Sequence, residues 1–150
     1  MTSEDLTQEE ADRLIAIGKS YLGNEKYQFP SNGELLEFPL VSTDQKEYFQ
    51  LSVRSGRIDL QKVSSQLRVK KIHVLLRLDL GNKPHTNPNG DKIEGSHLHR
   101  YYEGYGDRFA IPIPREIFTD PADSYITIQE FMNYCNIIHK PIISKGIDQW

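Results

Sequence analysis

Two kinds of hydrophobic spacing divide the chain. Near either end, core-type residues return every three to four positions, the spacing of one helix face. Over residues 4–22 these are Leu14, Ile15, Ile17, Gly18, Tyr21 and Leu22; over Thr127 to His139 they are Ile128, Phe131, Met132, Cys135 and Ile138. Thr7 with Glu10, and Thr127 with Glu130, have the spacing of a capping box, in which a hydroxyl and a carboxylate satisfy backbone N–H groups of the first turn. Gly23-Asn24 and Pro141 end the two segments.

Between them the period falls to two. Leu35 to Val41 reads as a short strand that Pro39 confines to a sheet edge. Phe49, Leu51 and Val53 alternate with polar residues, and Arg57 to Gln61 resumes the alternation after Ser55-Gly56, so 48–61 reads as a hairpin. Gln66 to Lys71 extends that strand or begins a connection. The clearest strand is Ile72 to Leu80: every even position is apolar, and the odd ones are His73, Leu75, Arg77 and Asp79. Residues 81–96 are dominated by turn formers, with Asn87-Pro88-Asn89-Gly90 suited to a type I turn. His97 to Tyr102 is a further strand, stopped at Gly104-Tyr105-Gly106, and Phe109, Ile111 and Ile113 alternate once more. Connections this short leave no room for crossover helices, so antiparallel pairing is expected. The predicted fold is α+β: one domain over residues 1–150, an antiparallel sheet of four to six strands, an N-terminal helix and a C-terminal helix.

Charge changes the picture. The chain has a net charge of −3, but residues 1–50 carry a net −6, residues 51–115 a net +6 and residues 116–150 a net −3. Four of the five histidines also lie in the basic middle block. A basic centre of this kind fits an anion, nucleic acid above all; otherwise its bases pair with acids of the flanks. No apolar run approaches the roughly 18 residues of a membrane-spanning helix, so no membrane partner is expected. The acidic start and the single Cys135 point to a reducing, cytoplasmic setting.

The candidate chemistry is concentrated in residues 85–108. On an ideal strand His97, His99, Tyr101 and Glu103 share one face, and that face can meet His73, Arg77 and Asp79 of a neighbour. Three uses follow. The first is metal-free RNA cleavage, which needs no cofactor: His97 and His99 transfer protons, Tyr101 stacks or assists, and Arg77, Arg100, Arg108, His73 and His85 bind nucleic acid. In architecture alone this is similar to RelE- and barnase-type endoribonucleases. The second is a metal site of His97, His99 and Glu103, or with His85 as third ligand. His97-x-His99 followed by Glu103 resembles the first cupin motif, although Ala110 stands where that motif closes on Gly and the second motif is absent. The third is a non-catalytic surface for a host or antitoxin protein, since Tyr and Arg are frequent in binding hot spots.

The run His85-x-Asn87-Pro88-Asn89-Gly90, with His97-x-His99-x-Tyr101-x-Glu103-Gly104 and then Phe109-Ala110, resembles a family of small bacterial and phage proteins over roughly residues 47–140. No activity is assigned to that family. The resemblance implies a prokaryotic or mobile-element setting, where small proteins are often toxins, antitoxins or inhibitors of host defence.

Overall fold

The computed structural model describes residues 5–56, 62–81 and 83–145. In chain order its elements are α1 (Gln8–Ala16), β1 (Lys19–Tyr21), β2 (Lys26–Gln28), β3 (Leu35–Ser42), β4 (Tyr48–Ser55), β5 (Val63–Val69), β6 (His73–Asp79), β7 (His85–Thr86), β8 (Lys92–Ile93), β9 (His97–Arg100), β10 (Ala110–Pro112), α2 (Ser124–Tyr134), β11 (Ile137–His139) and β12 (Ile142–Ser144). Eight strands form one sheet in the order β10-β9-β6-β5-β4-β3-β1-β11. Two small ladders, β12 with β2 and β7 with β8, stand outside it. The fold is α+β, with a larger sheet than the four to six strands expected. Its main body is antiparallel, while β1 pairs parallel with β11 at one edge and β2 pairs parallel with β12.

The extra strands come from segments whose spacing mimics a helix. The first helix spans nine residues rather than 4–22. Thr7 caps it as expected, accepting from the Glu10 amide at 3.1 Å. The chain leaves the helix at Ile17, whose backbone is extended, and enters β1 at Lys19. The Lys19 side chain is fully buried, and its Nζ donates to the Ile15, Ile17 and Cys135 carbonyls at 2.8–2.9 Å. It thereby satisfies backbone oxygens left open where both helices end. The last helix likewise stops at Cys135, and Ile138, expected in its core stripe, lies exposed on β11 while Ile137 is buried. Its N-cap is Asp123, accepting from the Ile126 amide, not Thr127. Glu130 bonds Thr119 instead.

β3 is an interior strand, not the edge that Pro39 predicted. β1 reaches only Leu40 to Ser42 of it, so the missing Pro39 amide falls where that neighbour has ended. The hairpin expected over 48–61 is β4 alone; its partner is β5, and Arg57 to Gln61 lie outside the described residues.

The strand register sorts the two sheet faces. Phe38, Leu51, Leu67 and Leu76 are successive partners across four strands, as are Leu78 and Leu98; all are buried in one core with Leu14, Ile15, Ile128 and Phe131 of the helices. A bulge at Leu67/Arg68 skips Leu75, so Leu75 and Leu76 are both buried and the strict alternation read over Ile72 to Leu80 breaks; Ile72 is exposed. The other face carries two polar rows: Arg54, Ser64, Asp79 and His97 in one, and Ser52, Gln66, Arg77 and His99 in the next. No helix among the described residues is long and apolar enough to cross a membrane.

Candidate active site

The site grows out of those two rows. Because Asp79 pairs with His97 and Arg77 with His99, four functional side chains occupy one square of the polar face. Arg77 links them. Its Nε donates to Asp79 Oδ2 at 3.1 Å, its Nη1 to Asp107 Oδ2 at 2.7 Å, and its Nη2 lies 3.0 Å from His99 Nε2. Burial opposes charge on Asp79. The Arg77 guanidinium and the Ser64 hydroxyl are among the groups that outweigh it, and the carboxyl is held down at about 2.

A third imidazole closes over this square. His85 opens the small β7–β8 hairpin, whose turn is Asn87-Pro88-Asn89-Gly90, with Gly90 at φ +95°. The buried Asn87 amide anchors that hairpin to the free edge of β10: Oδ1 accepts from the Ala110 N–H at 2.8 Å and Nδ2 donates to the Ala110 carbonyl at 2.9 Å. The ring of His85 stacks on that of His97 at 5.4 Å and meets His99 edge-on at 4.6 Å; His97 and His99 are 4.9 Å apart. One ring nitrogen of each lies within 4.8 Å of those of the other two.

Each imidazole has one nitrogen fixed by a backbone carbonyl: His85 Nε2 to Arg108 O at 2.8 Å, His97 Nδ1 to Gly95 O at 2.9 Å and His99 Nδ1 to Asp107 O at 2.7 Å. A carbonyl only accepts, so those three nitrogens carry the proton. The lone pairs are left on His85 Nδ1, His97 Nε2 and His99 Nε2. Asp79 Oδ2 sits 3.4 Å from both Nε2 atoms. Burial is the chief reason that the His97 pKa is lowered. His99 is fully buried, His97 nearly so, and His85 is half-buried.

His85, His97, Arg77 and Asp79 open into a cavity of about 360 Å³, whose wall also carries Arg54, Lys62 and Lys83. These three cations escaped the sequence reading. Arg54 had a legible signal, its outward phase in the β4 alternation; Lys62 and Lys83 flank loops, where spacing says nothing.

The structure brings His85, His97, His99 and Arg77 together and leaves the other candidates elsewhere. Tyr101 is buried on the helix side; its hydroxyl donates to the Leu6 carbonyl and accepts from the Leu6 amide. Glu103 accepts from the Gln8 amide, so the ligand set His97, His99 and Glu103 is not assembled. The strand ends at Arg100, and the face shared by His97 and His99 does not continue to Tyr101 and Glu103. His73 packs against Tyr101, and Arg100 pairs with Asp12 of α1. Arg108 contributes its carbonyl to His85, but its side chain lies over Tyr105.

One protein family matches residues 6–137: DUF6978, a family of unknown function. The chain belongs to that family, and the match reaches further toward the N-terminus than the 47–140 segment. No curated protein and no solved structure matches the chain.

Proposed function

We propose that this member of DUF6978 is a metal-dependent hydrolytic enzyme, with a divalent transition metal held by His85, His97 and His99. The observation that carries the reading is the set of three carbonyl bonds, to Gly95, Asp107 and Arg108, that leave one lone pair on each clustered ring. Metal-bound histidines are commonly oriented by such a bond from the far nitrogen. Three protein ligands with a position left open is the pattern of catalytic zinc sites, where bound water ionises near pH 7.

The chain's own groups complete the chemistry. The Asp79 carboxylate balances charge beside His97 and His99. A metal held at His99 Nε2 would replace the Arg77 Nη2 contact, and Arg77 would remain bonded to Asp79 and Asp107. Its guanidinium then lies on the cavity wall, where negative charge develops on a substrate under attack.

Metal-free acid/base cleavage by His97 and His99 is less well supported. His99 is fully buried and does not line the cavity that His85 and His97 open into. It has no path to a leaving oxygen. The test is calorimetric titration of the purified protein with Zn²⁺, followed by hydrolysis of bis(4-nitrophenyl) phosphate and of 4-nitrophenyl acetate with and without EDTA. One zinc per chain, with hydrolysis lost in EDTA and in His97→Ala, is expected. Hydrolysis that survives EDTA overturns the metal reading in favour of acid/base histidines.

A further inference from the structure

The cavity beside the three histidines has a charge pattern that the metal reading does not use. Arg54, Lys62 and Lys83 line it together with Arg77, and among the described residues Asp79 is the one acid on its wall, already paired with Arg77. Among the described residues Arg54, Lys62 and Lys83 make no ion pair; Arg54 donates only to the Gly33 carbonyl at 3.3 Å. All three are exposed. The Lys62 stem lies against the turn at Gly81: a Cβ there, where φ is +133°, would meet Lys62 Cγ at 2.9 Å.

The width of the site defines its ligand. Arg54, Ser64, Asp79 and His97 are successive partners across four strands, so Arg54 stands about 14 Å from His97 at the usual strand spacing. One phosphate engages only donors within hydrogen-bond distance of its own oxygens. Cations spread over this span match successive phosphates of a strand. The net +6 of residues 51–115, against −6 and −3 in the flanks, has the same sense.

We infer that the cavity is the substrate channel of the histidine centre and takes a nucleic-acid strand, with Arg54, Lys62 and Lys83 on its phosphates and Arg77 at the phosphodiester nearest the three histidines. The inference rests on the metal reading for what happens at that phosphodiester, but binding itself does not require the metal.

The test is fluorescence anisotropy of the zinc-loaded protein with labelled single-stranded RNA and with DNA of the same sequence, each over a salt series. Wild type is expected to bind, with log affinity falling linearly against log salt. The double variant Lys62→Glu/Lys83→Glu, altered only at exposed positions, should bind at least tenfold more weakly. Its salt slope should be shallower by about 1.4, the value for two lost contacts to a single strand. Zinc affinity of that variant should be unchanged, so failure of the channel and failure of the metal centre are read separately. RNA bound more tightly than DNA adds a 2′-hydroxyl contact to the channel; equal binding assigns recognition to the phosphates. Binding of neither strand, or binding that the double variant leaves intact, overturns the inference.

Discussion

Asn87 is the residue on which the third histidine depends, and its removal gives a graded prediction. In Asn87→Ala the Ala110 N–H and C=O, on a residue 5 % exposed, both lose their partner. A buried backbone group left unpaired costs about 1–3 kcal/mol, so the pair together costs about 2–6 kcal/mol, toward the lower figure if water enters. Because those bonds tie the β7–β8 hairpin to the sheet, the loss falls first on that hairpin and on His85. Zinc affinity should drop by roughly 10–100-fold, the range seen when a group orienting a metal ligand is removed. Urea unfolding measures the stability term, hydrogen exchange over residues 85–93 localises it, and calorimetry measures the zinc term. His85→Ala should lose zinc with little loss of stability. In the double variant, zinc affinity should fall no further than in His85→Ala, because both changes act through one ring. Destabilisation of Asn87→Ala with undiminished zinc affinity would refute the placement of His85 in the centre.

Three further outcomes follow from the geometry. Burial brings the Lys19 pKa down to about 8 from 10.5; between those values the unfolded chain holds a proton that the folded one has released. Stability measured by urea unfolding should therefore rise from pH 8 to pH 10.5, by about 3 kcal/mol in all, and Lys19→Met should abolish the rise. Tyr101→Phe removes both hydrogen bonds to Leu6 and should cost about 1–3 kcal/mol in thermal or urea unfolding, while calorimetry finds zinc affinity unchanged. Protons compete with metal for an imidazole nitrogen, so zinc affinity followed by calorimetry should fall as the pH is lowered, and burial, which lowers the His97 pKa, delays that loss at this ligand.

The parts of this architecture that were legible in the sequence are those where a single local rule decides. Period-two alternation located β4, β6 and β9, and the pairing of Arg77 and Asp79 with His97 and His99 followed from parity once those strands were neighbours. Thr7 was legible as a cap from its spacing to Glu10, but the same spacing at Thr127 and Glu130 falls inside α2, where Asp123 caps instead. The rest depends on long-range contacts. Residues 17–22 and 135–139 fit a helix by spacing, yet the Lys19 ammonium and the parallel pairing of β1 with β11 draw them into strands. Pro39 marks an edge only if its neighbour is long, and β1 is three residues. In the site, Glu103 and Tyr101 have the right spacing but the strand ends before them, and α1 with its leading segment takes both side chains. His85 joins the cluster only through Asn87 and β10, a connection between residues 23 apart that no periodicity encodes.

The most direct test of the metal centre is X-ray absorption at the zinc edge of the zinc-loaded protein. Three imidazole nitrogens at about 2.0–2.1 Å with oxygen filling the remaining position are expected, with loss of one imidazole in each of His85→Ala, His97→Ala and His99→Ala. Zinc bound with fewer than three imidazoles, or a spectrum that none of the three substitutions alters, would contradict a three-histidine centre.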